Sequence, residues 1–211
     1  MDNAQHAVSV FNKWAKEYQE KFMDVGLYAQ PLDFFCAEVP TTQPQILELA
    51  CGPGNVSKYV LDKRPDFRLY GTDLSENMIE LARQNNPAAE FDVMDSRAAK
   101  ELNKTFDGIL ISFLLPYLNY QETDELLGDC SSVLQKDGLI YVSTMEGSYE
   151  TSGPQRNSKG DLVVMHYYTE EDLQYFFDKH HLTVLKKDKI NSVMGNGTEV
   201  VDLVFIGKKQ A

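Results

Sequence analysis

The sequence is poor in the features that mark secreted, metal-binding or membrane-spanning proteins. Its three cysteines, Cys36, Cys51 and Cys130, are odd in number and lack metal or redox spacing, which fits a reducing compartment. A basic-then-apolar signal pattern is missing from the N-terminus. The longest apolar run, residues 108–118, is well short of the ~20 residues that a membrane-spanning helix needs. These absences predict a soluble, cytoplasmic protein with no metal site.

Positive charge is also scarce, with 20 Lys and Arg against 32 Asp and Glu and a net charge of −12. Such a surface repels nucleic acid and anionic membranes. The densest basic stretch, residues 186–189, is short and is interrupted by Asp188, so it predicts a solvated strand edge. We therefore expect a small-molecule partner rather than nucleic acid or membrane. The composition leaves monomer and homodimer open.

The apolar and charged contents, 43% and 25%, are typical of a folded globular protein, and 211 residues suit one domain. Short apolar runs alternate with segments of helical periodicity, which predicts right-handed βαβ units and a parallel sheet. The predicted strands are residues 45–50, 67–72, 90–94, 106–112 and 139–144. The predicted helices between them are residues 54–61, 75–82 and 121–134.

The two ends of the chain show different patterns. Residues 3–24 and 31–38 predict helices, and residues 169–180 predict another with Thr169 as its N-cap. Residues 182–190 and 200–207 predict two strands joined by a turn at residues 194–197. The resulting fold class is α/β: a doubly wound, seven-stranded, mostly parallel sheet with an antiparallel last strand, helices on both faces and an N-terminal helical extension.

The most specific feature is the loop Leu47-Glu48-Leu49-Ala50-Cys51-Gly52-Pro53-Gly54 between the first strand and its helix. Glycines there allow a tight turn and a close approach of a ligand to the backbone. Asp73 ends the second strand about 20 residues later, where an acid can accept hydrogen bonds from two ribose hydroxyls. Two plainer interpretations stay open: a ligand-free turn for the glycines, and a turn or helix-cap role for Asp73.

Residues 46–144 resemble the class I S-adenosylmethionine-dependent methyltransferases, especially those that act on small molecules. The resemblance implies S-adenosylmethionine as the cofactor and assigns the first motif to it. Glu48 would order the loop and the methionine amino group, with Gly52 and Gly54 against the ligand and Asp73 on the ribose. The cofactor residues implied by the first two motifs are Glu48, Ala50, Cys51, Gly52, Gly54, Asp73, Leu74 and Met78, the last two beside the adenine.

Two further motifs carry the resemblance. Met94-Asp95-Ser96 resembles the third, whose acid faces the adenine amino group, although Asp95 could instead cap a helix. Ser112 and Phe113 belong to a stretch that resembles the fourth motif, which runs beneath the transferring methyl, although Phe113 could be plain core. The domain then divides into a helical cap (1–44), a cofactor-binding core (45–146), a lid or substrate segment (147–168) and a C-terminal helix with a strand pair (169–211).

The sequence departs from the family pattern at two places. Ala50 stands where the first glycine is usual, so we expect the turn to place this residue at an angle that alanine tolerates. No Asp-Pro-Pro-Tyr or Asn-Pro-Pro-Tyr follows the fourth strand, which counts against enzymes that methylate the amino groups of DNA bases and related amides.

Substrate contacts are expected above the carboxyl ends of the strands. In related enzymes a tyrosine of the N-terminal helix closes over the cofactor, and Tyr18 is the candidate here. Tyr117, His166 and Tyr168 are candidates for substrate contact. His166 is also the one plausible general base, although a strand histidine without a visible partner is often structural.

Two other functions remain open from the sequence. A NAD(P)-dependent oxidoreductase also begins with a strand, a glycine loop and a ribose-binding acid. Against it, Glu48 sits inside the strand end, and Ser57 occupies the third glycine position of the dinucleotide fingerprint, where close packing favours Gly or Ala. A non-catalytic S-adenosylmethionine-binding protein would keep the same pocket.

Overall fold

The computed structural model describes residues 3–39, 42–157, 159–193 and 197–210. Nine strands and seven α-helices occupy this part of the chain. The strands are β1 (Gln45–Leu49), β2 (Arg68–Asp73), β3 (Glu90–Val93), β4 (Phe106–Ser112), β5 (Leu134–Met145), β6 (Gly153–Arg156), β7 (Leu162–Met165), β8 (Leu182–Val193) and β9 (Glu199–Lys209). The helices are α1 (Asn3–Lys13), α2 (Ala15–Phe22), α3 (Ala29–Glu38), α4 (Asn55–Lys63), α5 (Glu76–Asn85), α6 (Tyr120–Val133) and α7 (Glu170–Lys179).

The main sheet has seven strands in the order β3-β2-β1-β4-β5-β9-β8. β1 to β5 pair in parallel, and β9 is antiparallel to both of its neighbours, β5 and β8. The last strand of the chain therefore runs against all the others. This confirms the predicted α/β class, the seven strands and the antiparallel last strand.

Each face of the sheet buries its own apolar cluster, as expected for a doubly wound sheet. One cluster joins the sheet to α6 and α7 through residues such as Leu127 and Phe176. The other joins it to α3, α4 and α5 through residues such as Phe35, Val60 and Ile79. The carboxyl ends of the parallel strands consequently lie together at one edge of the sheet, between the two layers of helices.

The N-terminal helix differs from its prediction. Residues 3–24 form two helices rather than one, because the backbone of Trp14 leaves the helical region (φ −112°, ψ 23°). The bend lets the Trp14 indole N–H donate to the Asp161 carboxylate over 2.6 Å. A contact so distant in sequence is invisible to a periodicity argument.

Two other segments are more regular than expected. Residues 136–138, which separate the predicted helix 121–134 from the predicted strand 139–144, lie within β5, where Asp137 adopts φ 64° at an irregularity in the pairing with β4. Within the predicted lid or substrate segment (147–168), β6 and β7 pair in a two-stranded antiparallel ribbon. Residues 194–196 of the predicted β8–β9 turn lie outside the described residues. In the described part of the chain, the helices are too short or too polar to cross a membrane.

Candidate functional site

A cavity opens at the carboxyl edge of the sheet, beside the neighbouring strands β1 and β4. The helices that follow these two strands pack on opposite faces of the sheet. Crevices at such topological switch points are where open α/β sheets bind their ligands. The cavity holds about 820 Å³ of empty space, a volume that includes open solvent at its mouth. Its lining residues are Ala7, Val8, Phe11, Tyr18, Ala50, Gly52, Asp73, Leu74, Met78, Asp95, Ser96, Arg97, Ser112, Phe113, Leu114, Tyr117 and Leu118.

The glycine loop forms the floor of the cavity. Ala50, Gly52 and Gly54 all adopt left-handed backbone angles, with φ of 53°, 53° and 76°. The expectation for Ala50 was wrong, because a left-handed residue with a Cβ costs about 1–2 kcal/mol where glycine costs nothing. A Cβ added to Gly52 would meet only the Tyr18 ring, at 3.9 Å, so this glycine leaves space on the cavity side.

Asp73 is held against the same loop. One carboxylate oxygen accepts the Gly52 N–H at 2.9 Å, and the other accepts the Ser75 N–H at 2.8 Å. Burial raises the pKa of Asp73, and the backbone N–H groups of Ser75, Gly52 and Leu74 oppose that rise. The turn role that the sequence left open is therefore present, and the same carboxylate lines the cavity beside Gly52.

Glu48 lies beneath the loop, buried on β1, and is not one of the lining residues. Its carboxylate accepts a short hydrogen bond from the Ser57 hydroxyl at the start of α4. Burial raises the pKa of Glu48 to about 8; the Ser57 bond lowers it and the Asp73 charge raises it further. Ser57, which departs from the dinucleotide fingerprint, thus fixes Glu48, and this pair ties β1 to α4 below the glycines.

The segment after β3 brings charge to the cavity. Asp95 caps the 3₁₀ helix Ser96–Leu102 by accepting the Arg97 N–H at 2.9 Å. The Arg97 guanidinium also donates to Asp95 at 2.7 Å and to Glu122, at the start of α6, at 2.8 Å. Arg97 was missed by sequence reasoning, because nothing in its local pattern shows that it turns back towards its own cap residue.

The segment after β4 carries Ser112 and Phe113 into the cavity wall. Phe113 adopts φ 54°, a left-handed angle that is uncommon for a bulky residue and that clusters at functional sites. Its ring packs edge-on against Tyr28 at 5.4 Å. Tyr28 in turn donates its hydroxyl proton to buried Asp202 on β9, at 2.7 Å.

The N-terminal helices α1 and α2 line the cavity, and the β6–β7 ribbon packs against α1; we call these helices and the ribbon together the cover. α1 and α2 contribute Phe11 and Tyr18 to the lining. The ribbon packs Val163 against α1 and is joined to it by the Trp14–Asp161 bond. Burial raises the pKa of Tyr18 to about 12, with a further contribution from the Asp73 charge.

Six predicted site residues stand outside the lining: Glu48, Cys51, Gly54, Met94, His166 and Tyr168. The His166 ring stacks on Tyr149 at 5.6 Å, and its buried Nδ1 has no hydrogen-bond partner among the described residues. Burial lowers the pKa of His166, and the Glu122 charge raises it. Tyr168 is fully buried and donates to the Leu118 carbonyl at 2.6 Å. This geometry favours structural roles for both residues.

Sequence reasoning missed several apolar lining residues. Ala7, Val8, Leu114 and Leu118 face the cavity, but their spacing is equally typical of core positions. Phe11 belongs to the helical periodicity of the N-terminus, which does not reveal that its ring lines the cavity and contacts Tyr117, at 5.1 Å between ring centroids.

Part of the chain is similar to known methyltransferases. A family model described as a methyltransferase domain matches residues 46–138. Demethylmenaquinone methyltransferase of Thermotoga maritima is 25% identical over 141 residues, which cover 65% of this chain and 61% of that protein. Malonyl-[acyl-carrier protein] O-methyltransferase of Acetivibrio thermocellus is 32% identical over 120 residues, covering 51% of this chain and 40% of that protein. The chain thus spans less than two thirds of the length of either relative.

Solved structures share the fold across nearly the whole chain. One is the 1,6-didemethyltoxoflavin-N1-methyltransferase of Burkholderia thailandensis with bound 1,6-didemethyltoxoflavin and S-adenosylhomocysteine. Its TM-score is 0.74 at 18% identity, and the match covers 99% of this chain and 89% of that one. At this identity the likeness concerns the fold.

Proposed function

We propose that this chain is a class I S-adenosylmethionine-dependent methyltransferase, whose cavity binds S-adenosylmethionine and transfers its methyl group to a small molecule; the match of residues 46–138 to a methyltransferase-domain family supports this proposal. One observation carries the proposal: Asp73 and Gly52 are bonded to each other and face the same cavity. The relatives act on different acceptors, as their names state, so none of those acceptors is carried over to this chain.

The residues present fit an adenosine joined to an amino acid. Asp73 would hold the ribose, with Leu74 and Met78 along the adenine and Asp95 and Ser96 at its rim. Gly52 and Ala50 would lie against the amino acid portion, because no side chain larger than a methyl projects from the loop there. Glu48, tied to Ser57, would keep the loop in place from below.

When bound, S-adenosylmethionine supplies a methyl group on a sulfonium; the acceptor's lone pair takes it, the C–S electron pair stays on sulfur, and an O–H or N–H acceptor gives its proton to water. The protein's part is to orient the two reactants and exclude bulk water, which can supply most of the rate enhancement. The cover does the second task, and Tyr18 closes the cavity over Gly52, with its ring 3.9 Å from the position of a Gly52 Cβ.

Calorimetric titration with S-adenosylhomocysteine tests the proposal on the Gly52→Val variant. The added side chain fills the ligand's space, so we expect binding at least about tenfold weaker than in the unaltered protein, or about 1.4 kcal/mol. The control is Gly197→Val, between β8 and β9 at φ 85°, where an added Cβ has nothing within 4 Å among the described residues; it imposes similar backbone strain outside the cavity lining. Its affinity should match that of the unaltered protein.

Two results would reject the assignment. One is equal affinity in Gly52→Val and Gly197→Val, which would place the ligand elsewhere. The other is binding of NADH without binding of S-adenosylhomocysteine, which would restore the oxidoreductase interpretation. Transfer of labelled methyl from the cofactor to a metabolite pool then separates an active enzyme from a non-catalytic binder.

A further inference from the structure

The cavity has two chemically different ends. Polar and charged side chains follow β2 and β3; we call this the polar end, formed by Asp73, Asp95, Ser96 and Arg97. Aromatic and aliphatic side chains come from α1 and from the segment after β4; we call this the apolar end, formed by Phe11, Phe113, Leu114, Tyr117 and Leu118. Tyr18 lies between them, close enough to Asp73 for that charge to raise the pKa of its hydroxyl.

We propose that the methyl acceptor is an uncharged aromatic molecule, a phenol or a nitrogen heteroaromatic, bound at the apolar end. The inference rests on the proposed function, which places the adenosine at the polar end. The order of the strands supports this division, because β3 and β2 stand on one side of β1 and β4 stands on the other.

Charge compensation disfavours an ionic acceptor. The apolar end has no charged side chain among its defining residues, and a buried ion without a partner is costly. Arg97 is the one cation that lines the cavity in the described part of the chain, and it already bonds Asp95 and Glu122 at the polar end. Asp73 likewise accepts two backbone N–H groups. Neither an anion nor a cation finds an available opposite charge among the protein side chains of the apolar end.

The aromatic rings favour a flat acceptor. Phe11 meets Tyr117 edge-to-face, with 5.1 Å between centroids and an interplanar angle of 82°, and meets Tyr18 at 5.8 Å and 85°. Edge-to-face and offset ring pairs add about 0.5–1.5 kcal/mol beyond apolar burial. A planar ring gains this contribution from the apolar end, whereas an aliphatic acceptor gains burial alone.

Two hydroxyls can orient such a ring. In the described part of the chain, the Tyr18 and Tyr117 hydroxyls make no hydrogen bond to another residue, although both rings line the cavity. Burial raises the pKa of both hydroxyls, so they are protonated donors at neutral pH. A hydroxyl oxygen or a ring nitrogen on the acceptor supplies the matching lone pair.

Three probes of one shape and different charge test the inference. The unaltered protein, saturated with S-adenosylhomocysteine at pH 7, is titrated calorimetrically with 2-naphthol, 2-naphthoate and 2-naphthylmethylammonium. We expect 2-naphthol to bind at least about tenfold more tightly than either ion. An ion that binds as tightly as 2-naphthol, or no measurable binding of 2-naphthol, would overturn the proposal.

A matched pair of variants locates the binding. Tyr117→Leu should weaken 2-naphthol binding at least about fivefold, because it removes a ring and a donor. Tyr175→Leu makes the same change at a ring that is 52% exposed on α7 and outside the cavity, and should leave the affinity unaltered. Equal losses in both variants would refute the assignment to the apolar end. Absence of S-adenosylhomocysteine binding would instead mark failure of the proposed function itself.

Discussion

The floor and the cover of the cavity are built from different kinds of contact. The floor, residues 48–54 with Asp73, is held by hydrogen bonds between adjacent parallel strands and by the buried Glu48–Ser57 pair. The cover is held by contacts such as Trp14 with Asp161, 147 residues apart, and by a Lys13–Asp161 ion pair whose lysine is 57% exposed. Segments with few buried contacts open at lower free energy than the core. Ligand entry should therefore depend on the cover, and global stability on the floor.

The largest effect is expected from Gly54→Val in the floor. A Cβ there would clash with the Asn86 side-chain nitrogen and lie 3.2 Å from the Ala82 backbone, and Gly54 also has φ 76°. Overpacking and left-handed strain together should lower the free energy of unfolding by about 2–5 kcal/mol. Urea denaturation measures the loss. Gly197→Val should lose only the strain contribution, about 1–2 kcal/mol, and equal losses in both variants would show that the floor tolerates repacking.

Glu48→Gln should change how the stability of the floor depends on pH. The folded-state pKa of Glu48 is raised from 4.5 to about 8, so the folded protein keeps a proton that the unfolded chain releases. The contribution of Glu48 is present below pH ~4.5 and is lost as the pH rises towards 8. Relative to the unaltered protein, the glutamine variant should therefore gain about 1–3 kcal/mol between pH 5 and pH 8.

Denaturation curves at several pH values measure this gain. The control is Glu80→Gln on the exposed face of α5, which should run parallel to the unaltered protein at every pH. A Glu48→Gln curve that is also parallel would mean that Glu48 is ionised in the folded state at neutral pH.

The floor was predictable from the sequence for a physical reason. A glycine loop between a strand and a helix, and an acid at the end of the next strand, are local patterns whose partners are fixed once the strands pair in parallel. Gly52 and Asp73 meet because β1 and β2 are neighbours in register, with Leu49 opposite Thr72. The left-handed angle of Ala50 was missed, because residue type alone favours a tolerated angle at that position.

The cover, which includes the β6–β7 ribbon, was not predictable in the same way. Residues 146–161 are polar, so their composition indicates a loop, whereas pairing between Pro154 and Val164 makes a ribbon. His166 was predicted as the general base because the ordinary pKa of histidine lies near neutrality. In the structure its ring stacks on Tyr149 outside the cavity lining. Tertiary contact decides such positions, and neither periodicity nor motif spacing reports on it.

A smaller effect is expected from Asp161→Asn, which weakens the attachment of the cover. The carboxylate accepts from the Trp14 indole and pairs with Lys13, and the amide of asparagine removes the charge that strengthens both contacts. The dissociation rate of S-adenosylhomocysteine should rise about fivefold while the urea midpoint stays within error. Stopped-flow fluorescence of Trp14, the single tryptophan, follows the release directly.

The control for this variant is Asp62→Asn, which removes an exposed ion pair with Lys58 on α4, away from the cover. It should leave the dissociation rate unaltered. If Asp161→Asn instead lowers the urea midpoint as much as it speeds release, the cover unfolds with the floor and the two regions form one cooperative unit.

The smallest effect is expected at His166, and it separates a structural role from a catalytic one. Burial holds the pKa of this imidazole below 6.5, and Glu122 opposes that shift. A base beside the transferring methyl would face the sulfonium charge, which favours the neutral imidazole and would lower the pKa further. We expect less than about 0.2 pKa unit between the complexes with S-adenosylmethionine and S-adenosylhomocysteine, measured by NMR titration of the imidazole protons. A drop of a full unit on going to the sulfonium complex would return His166 to the reaction centre and require the ribbon to move over the cavity.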